Sequence, residues 1–535
     1  MKTMINSIIL ASCLALPLAS CSDSDAAPEQ KDWSTTTYFN SSDAAAQDTY
    51  YKPAVGYVGD PMPFFDPVAG DFKVLYLQDF RPNPEGTYHP IWGVSTKDAA
   101  HYTALGELVS CGTLKSQDAA IGTGSTIYDE ASKLYYTFYT GNKYKPTGDE
   151  SAQAVMVATS ADFKTWTKDR TFLIKGQDFG YDKNDFRDPF VFKGDDGKFH
   201  MLISTKKGGK GSLAEFVSDD LKNWTDNGVF MTMMWDRFYE CPDLFKMGDY
   251  WYLVYSEIHH TVRRVQYFKG RTLDELKACT ANDAGIWPDA HEGFLDSRGL
   301  YAGKTASDGT NRYLWGWCPT RSGKDNTAVG ASPAEPEWAG NLVCYKLIQH
   351  EDGTLTLGQV DAVSEKYNQD VAVEVKESQN MTEADGTYTL AGNVEQPDAY
   401  MLMGRLGNHN KISFTVTTSN KWDKFGISMV RGSDSKKYYT MVVNPEDENN
   451  RKVNFEEQGV EGKGFIAGID GYVFARPADN VYNVTIYTDN SICVMYINDV
   501  CSYTNRIYGI QKNCWSINSY NGANVKISNL KISQY

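Results

Sequence analysis

Short runs of apolar and aromatic residues alternate with polar turns over the first two-thirds of the chain. Between Asp60 and about Leu357 this pattern forms five similar units. Each unit opens with a short polar motif, continues into an apolar strand and adds a second strand rich in aromatic residues. The openings are Gly59-Asp60-Pro61, Gly122-Thr123-Gly124-Ser125, Arg187-Asp188-Pro189, Glu240-Cys241-Pro242 and Asp296-Ser297-Arg298-Gly299. Their spacing of roughly 50–65 residues indicates an internal repeat.

Repeated units of three or four short strands, with little helical periodicity, predict an all-β fold. Five such units are typical of a five-bladed β-propeller. A propeller gathers the starts of its innermost strands around one axis. The five openings are therefore expected to meet in one funnel, which would contain Asp60, Asp188 and Glu240, with Asp296 nearby.

The hydrophobic pattern changes near Glu374. Several later segments, such as Ile412–Val416, alternate apolar and polar residues, which predicts antiparallel strands with one buried face. The chain is thus expected to contain a propeller at 51–358, a linker with a short helix at 359–373 and an antiparallel β-sandwich at 374–535.

The N-terminal segment has the features of an export signal. Lys2 precedes an apolar run that ends at Leu18-Ala19-Ser20-Cys21. Residues 1–20 are predicted to be a lipoprotein signal peptide, with Cys21 as the lipidated residue and 21–50 as a flexible tether. The mature protein is then expected to be exported and held at the bacterial cell envelope by its lipid alone. An ordinary secretory signal with a chance cysteine is the alternative.

Composition narrows the class of partner. Acidic residues outnumber basic ones, 68 to 52, which gives a net charge of −16 and argues against nucleic acid. The ten cysteines contain no CxxC pair and the eight histidines are scattered, so no metal site or cofactor is expected. Whether Cys493 and Cys501 form a disulfide is left open. Aromatic residues make up 13% of the chain, which fits a saccharide substrate, and a monomer is expected.

Three carboxylates around one funnel are suited to glycoside hydrolysis, because one can act as acid and another as nucleophile or base. Glu240 is the predicted acid/base, since a Glu crowded by other carboxylates keeps its proton more readily than an Asp. Asp60 is the predicted nucleophile. Arg187 offers several N–H donors to sugar hydroxyls and keeps Asp188 ionised.

The ordered motifs resemble those of glycoside hydrolase family 32, whose members cleave β-fructofuranosides such as sucrose, inulin and levan. The three motifs that contain Asp60, Asp188 and Glu240 match the family's catalytic blocks in order, and Trp338-Ala339-Gly340 matches a later block. The resemblance implies a retaining reaction through a fructosyl ester on Asp60, with no cofactor. The predicted substrate-binding residues are Arg187, Gln78, Trp92, Ser125, Asp296 and Trp317.

The first block departs from the family pattern. Gly59 and Met62 stand where the family has asparagines, so the sugar subsite is expected to lack polar contacts. Two alternatives to a fructoside hydrolase stay open. One is a related propeller glycosidase or phosphorylase with another specificity, and the other is a non-catalytic, glycan-binding surface lipoprotein.

Overall fold

The computed structural model describes residues 49–80, 89–233, 238–257, 264–279, 292–320, 338–431, 438–446, 453–458, 466–467 and 474–535. The predicted signal peptide, Cys21 and most of the tether lie outside these ranges. The propeller and the sandwich both belong to one compact unit. Among the described residues, no helix has the length and apolar character that a membrane crossing requires.

In the described part of the chain, twenty strands form five blades of four antiparallel strands each, which confirms the predicted propeller. Blade 1 contains β1 (Tyr57–Asp66), β2 (Asp71–Asp79), β3 (Ile91–Thr96) and β4 (Thr103–Val109). Blade 2 contains β5 (Ala120–Asp129), β6 (Leu134–Asn142), β7 (Gln153–Ser160) and β8 (Thr167–Ile174). Blade 3 contains β9 (Phe186–Lys193), β10 (Phe199–Lys207), β11 (Lys210–Ser218) and β12 (Thr225–Thr232), and a short 3₁₀ helix (Gly176–Phe179) precedes it.

The last two blades follow the same plan. Blade 4 contains β13 (Glu240–Met247), β14 (Tyr250–Glu257), β15 (Arg264–Gly270) and β16 (Glu292–Phe294), with helix α1 (Leu273–Lys277) before β16. Blade 5 contains β17 (Tyr301–Ser307), β18 (Arg312–Pro319), β19 (Gly340–Gln349) and β20 (Leu355–Gly358). Val58 on β1 pairs with Gly340 on β19, so the first and last blades share one sheet and close the ring.

Every innermost strand carries a register shift near its start. In β1, β9, β13 and β17 two residues oppose one on the neighbouring strand, as in a β-bulge, and the first of the two has a positive φ. A shorter irregularity occurs at the same place in β5. Because bulges re-aim side chains, they turn these positions toward the propeller axis. The residues are Asp60, Thr123, Asp188, Cys241 and Ala302.

The C-terminal strands form two packed antiparallel sheets, as predicted. One contains β21 (Gln369–Val371), β23 (Met381–Ala384), β24 (Thr387–Ala391), β26 (His409–Thr418), β31 (Val481–Asp489), β32 (Ile492–Ile497), β33 (Cys501–Arg506) and β35 (Asn524–Gln534). The other contains β22 (Val375–Gln379), β25 (Ala399–Arg405), β27 (Lys424–Arg431), β28 (Tyr438–Val443), β29 (Val453–Gln458), β30 (Ile466–Ala467) and β34 (Cys514–Tyr520). Alternate residues of β26 are buried in the core between the sheets.

The linker holds the expected short helix, α2 (Asp361–Lys366). Beyond it, β21 already pairs with β35 of the sandwich, so the sandwich begins within the predicted linker. Strand β33 lies against blade 5: the Arg506 guanidinium donates to the carbonyls of Cys318 and Pro319 at 2.9 and 3.0 Å. Within the described ranges no disulfide joins any of the eight cysteines, Cys493 and Cys501 included.

Candidate active site

Three carboxylates from three different blades meet at the starts of the innermost strands. Asp60 lies in the bulge of β1, Asp188 in the bulge of β9, and Glu240 one residue before the bulge of β13. Their charges act on one another, because Glu240 raises the pKa of both Asp60 and Asp188. The structure thus brings together the three carboxylates that the repeat predicts.

Both oxygens of Asp60 accept hydrogen bonds. The Thr123 hydroxyl donates to Oδ2 at 2.7 Å, and the Trp317 indole N–H donates to Oδ1 at 2.9 Å. Burial raises the pKa of Asp60, whereas these two donors oppose the rise. The donors also fix the orientation of the carboxylate plane.

Asp188 is the most buried of the three, with 4% of its surface exposed. Its Oδ2 accepts from the Cys241 N–H at 2.9 Å, and its own N–H donates to the Thr140 hydroxyl at 2.8 Å. Burial raises the pKa of Asp188 to about 6, against the opposing effect of the Arg187 guanidinium. These contacts join blades 2, 3 and 4 around one carboxylate.

Glu240 is held from two sides. Arg187 Nη2 donates to Oε1 at 2.9 Å, and the Tyr301 hydroxyl donates to Oε2. Arg187 is itself fixed by Asp185 at 2.7 Å, and its guanidinium lies 4.0 Å from the centre of the Phe238 ring. Neighbouring carboxylates raise the pKa of Arg187, so this side chain remains a cation at the edge of the site.

A buried lysine lies beneath the carboxylates. Lys304 on β17 donates to the Gly124 carbonyl at 2.7 Å and is almost fully buried. Burial lowers its pKa, and the charges of Asp243, Asp188 and Asp60 oppose that effect. Its positive charge therefore offsets part of the negative charge of the site from below.

An aromatic side chain occupies the space beside the nucleophile candidate. A Cβ atom at Gly59 would lie 2.2 Å from Trp338 Cη2, so no larger residue fits at position 59 in this arrangement. The Trp338 ring contacts His89, with centroids 4.2 Å apart, and lies 6.2 Å from Trp317. The Trp338 indole thus covers Gly59, one of the two residues that depart from the family pattern.

The second such residue, Met62, is buried, and its sulfur accepts from the Gly124 N–H at 3.1 Å.

Of the six predicted substrate-binding residues, Arg187 and Trp317 contact the catalytic candidates directly.

Gln78 is fully buried, and its amide nitrogen donates to the Val55 carbonyl. Ser125 bridges blades 2 and 3 through the Pro189 carbonyl and the Val191 N–H, both at 2.9 Å. Trp92, which lies on the third strand of blade 1, packs edge-on against Phe80. These contacts anchor the three residues within the blades, and their part in substrate binding stays a prediction.

The placement of Asp296 corrects the sequence-based expectation. This carboxylate is buried against β33, where it accepts hydrogen bonds from the Ser502 hydroxyl and from the Thr504 N–H and hydroxyl. The fifth bulge instead begins at Ala302, and Tyr301 holds the position that Glu240 holds in blade 4. The sequence assigned the wrong residue because the acidic opening of this unit precedes its strand by several residues.

Two residues of the site were missed from the sequence. Counted from Cys241, the repeat spacing of roughly 50–65 residues admits both Asp296 and Tyr301-Ala302, so the spacing alone did not identify Tyr301. Lys304 stands out as a cation inside an otherwise apolar segment, Tyr301–Ser307. A lysine in a buried strand needs acceptors or nearby carboxylates, and that requirement points to the site.

Two carboxylates with different surroundings, a third buried acid and an arginine form an arrangement that suits acid-assisted displacement at a sugar carbon. In the described part of the chain, no group of three or more His, Cys, Asp or Glu residues could hold a metal ion. The site's carboxylates and arginine themselves offer proton transfer, nucleophilic attack and stabilisation of positive charge.

The sequence also matches known families. Residues 50–360 match the model of the glycosyl hydrolases family 32 N-terminal domain, and residues 353–532 match the model described as GH32, BT1760-like, C-terminal domain. The insoluble β-fructofuranosidase isoenzyme CWINV2 of Arabidopsis thaliana is 26% identical over 54% of this chain. Sucrose-6-phosphate hydrolase of Staphylococcus xylosus is 24% identical over 61%. The matches span 51% and 65% of those two relatives.

Solved structures share the whole architecture. Sucrose-6-phosphate hydrolase from Lactobacillus gasseri superposes with a TM-score of 0.66, covering 92% of this chain and 93% of that one, at 18% identity. Exo-inulinase from Aspergillus awamori also gives 0.66, covering 91% and 98%, at 16% identity. At such identities these likenesses establish the fold. Together with the family models, they show that this chain belongs to glycoside hydrolase family 32.

Proposed function

We propose that this protein is a retaining hydrolase of β-fructofuranosides. The observation that carries the proposal is the meeting of Asp60, Asp188 and Glu240, which lie in or directly before the bulges of three innermost strands. Relatives named as β-fructofuranosidase and sucrose-6-phosphate hydrolase support the same class of substrate.

In the proposed reaction, an Asp60 oxygen attacks the anomeric carbon while Glu240 donates its proton to the leaving oxygen. The glycosidic bond breaks and an ester forms between Asp60 and the sugar. Glu240, now ionised, takes a proton from water, and the resulting hydroxide displaces Asp60 and releases the sugar. Asp188 stabilises the positive charge that grows on the sugar ring.

The surroundings of Gly59 favour a second candidate, a glycosidase of the same fold that prefers another furanoside or a pyranoside. Trp338 covers the position from which a longer residue would reach the sugar. The subsite therefore presents an aromatic surface where a polar side chain is expected, and indole rings stack on apolar sugar faces.

Sugar release by wild-type protein, Asp60→Asn and Glu240→Gln tests both candidates on sucrose, inulin, levan and a panel of other glycosides. We expect Glu240→Gln to lower kcat about 10²–10⁴-fold and Asp60→Asn to lower it at least as much. Asp129→Asn is the matched control, because Asp129 caps the turn between β5 and β6. Release of a sugar other than fructose would favour the second candidate. Tight binding without turnover would favour a non-catalytic protein.

We propose that the protein is exported and held at the cell envelope by a lipid on Cys21. The sequence Leu18-Ala19-Ser20-Cys21 after an apolar run supports this proposal. Cys21→Ser should abolish incorporation of labelled palmitate and move the protein from the membrane fraction to the soluble fraction. Cys13→Ser, a change in the same apolar run, should leave both unchanged. Labelling that survives Cys21→Ser would contradict the proposal.

A further inference from the structure

A buried lysine connects two blades that are not neighbours in the ring. Lys304 lies on β17 of blade 5, and its Nζ donates to the Gly124 carbonyl of β5, in blade 2, at 2.7 Å. Blade 1 separates these two blades, because its strand β1 pairs with β19 of blade 5 and packs against β5. The hydrogen bond therefore joins two innermost strands that belong to different sheets.

The Gly124 carbonyl is the main anchor of this lysine. Only 2% of Lys304 is exposed, and among the described residues this carbonyl is the one acceptor within hydrogen-bond distance of its Nζ. The Phe190 ring of β9 adds a cation–π contact, with its centroid 5.3 Å from Nζ. A buried ammonium is costly without such partners, so the side chain and the carbonyl hold each other in place.

The carbonyl that Lys304 holds belongs to the bulge beside the proposed nucleophile. Thr123, the residue before Gly124, donates its hydroxyl to Asp60 Oδ2 at 2.7 Å. The bulge is tightly packed, because a Cβ atom at Gly124 would lie 1.8 Å from the Phe138 carbonyl oxygen. A displaced Gly124 peptide would therefore move Thr123 as well, and Asp60 would lose the geometry of one of its two donors.

The same lysine places a positive charge among carboxylates. Burial lowers the pKa of Lys304, whereas the nearby Cys241, Asp243, Asp188 and Asp60 raise it. The interaction is mutual, so the ammonium favours the ionised form of Asp60, which nucleophilic attack requires. The charged or titratable groups that act on Asp60 from other parts of the chain are Glu240, Asp188, His89, Cys241 and Lys304.

We propose that Lys304 is a positioning residue of the active site, which holds the β5 bulge from a non-adjacent blade and so keeps the Thr123 hydroxyl on Asp60. In treating Asp60 as the nucleophile, the inference rests on the proposed function. Lys304 acts through the Gly124 peptide rather than by touching the sugar. Its loss should therefore affect the chemical step more than the binding of substrate.

Steady-state kinetics of Lys304→Met test this role. The variant should lower kcat about 10–100-fold and leave KM within about threefold of wild type, because a misplaced nucleophile slows the chemical step. The acidic limb of the kcat/KM profile should move upward by about 0.5–1 pH unit, since Asp60 loses both a donor and a nearby positive charge. An unmoved limb or a raised KM would overturn the inference.

A double-mutant cycle tests the route through Thr123. Thr123→Val removes the hydroxyl on which Lys304 acts, so the double variant should be within about threefold of the slower single variant. Lys73→Met is the matched control, because Lys73 is also a buried lysine and binds Asp71 at 2.8 Å, in blade 1. It should leave the acidic limb in place and combine additively with Thr123→Val. Strict additivity for Lys304 would contradict the proposed route.

Hydrogen exchange measures the bulge without turnover. In Lys304→Met the amides of residues 121–126 should exchange at least about threefold faster than in wild type, and Lys73→Met should leave them unchanged. Lys304→Gln, whose side chain is uncharged and one atom shorter, should act in the same way and covers the case in which the Met variant fails to fold.

Unchanged exchange in a folded Lys304 variant, or an equal rise in every peptide, would overturn the inference. If wild-type protein releases no sugar from any substrate and exchange still rises at this bulge alone, the hold of Lys304 on the bulge is upheld and the proposed function is rejected.

Discussion

The carboxylate of Asp188 is almost completely buried. Its pKa of about 6 exceeds the ordinary value of 3.8 because burial disfavours the ionised form more than Arg187 favours it. A carboxyl whose pKa is raised by folding stabilises the fold below its unfolded pKa. That contribution is lost as the pH rises through the folded value. At neutral pH Asp188 is therefore ionised, and the burial of its charge lowers the stability of the fold.

Asp188→Asn is expected to lose activity and gain stability. The neutral amide removes a buried charge, so its melting temperature should exceed that of wild type at pH 8. The difference should shrink as the pH falls from about 6 toward 4, where wild-type Asp188 is protonated. Thermal melts at several pH values measure it. A difference independent of pH would show that another contact, such as the Cys241 N–H, dominates.

The Trp338 indole leaves no space for a side chain at position 59. Gly59→Asn alone should lower kcat/KM about tenfold or more, because its Cβ displaces Trp338, whose ring packs against Trp317, the donor to Asp60. Trp338→Ala in the same chain should restore part of that loss on fructosides. Steady-state kinetics of the two single variants and the double variant measure the coupling. Strictly additive effects would contradict the pairing.

At the scale of elements, β33 ties the sandwich to blade 5 through buried polar contacts. Asp296→Ala would orphan the Ser502 and Thr504 donors, which should destabilise the protein by about 2–4 kcal/mol. The KM should stay near the wild-type value, because the Asp296 carboxylate is buried and its oxygens accept from β33. Chemical denaturation and kinetics at low temperature check both expectations. A raised KM with unchanged stability would return Asp296 to the substrate site.

The repeat in the sequence predicts the blades because each blade needs the same polar opening and aromatic strand. It also locates Asp60, Asp188 and Glu240, whose openings lie within the strands themselves. It fails at Asp296, because the contact with β33 that buries this residue joins segments about 200 residues apart. The burial of Gln78 and Ser125 escaped prediction for a similar reason, since it depends on how neighbouring segments pack over them.

At the scale of the whole molecule, propeller and sandwich share one apolar core. Tyr487, Ile492 and Tyr496 of the sandwich pack in the same buried cluster as Tyr345 and Leu355 of blade 5. The Tyr345 hydroxyl also contacts the Thr504 hydroxyl at 2.5 Å. Each part alone would therefore expose apolar side chains that the other part buries.

A chain that ends at Gly358 should accordingly be poorly soluble, because it exposes the apolar side of blade 5. Soluble yield and thermal melting of the truncated and full chains measure this. The control is a full chain cleaved at the exposed Asp385-Gly386 turn between β23 and β24, which should stay folded. A soluble, active truncated chain would show that the sandwich is dispensable.

The pairing of Val58 with Gly340 has a consequence for how the protein is made. The strand that bears Asp60 is synthesised early, but its partner leaves the ribosome only after almost all of the propeller has been translated. Trp317, which holds the Asp60 carboxylate, also comes from the last blade. A nascent chain therefore carries the proposed nucleophile without one of the two donors that orient it, and we expect activity only once the ring has closed.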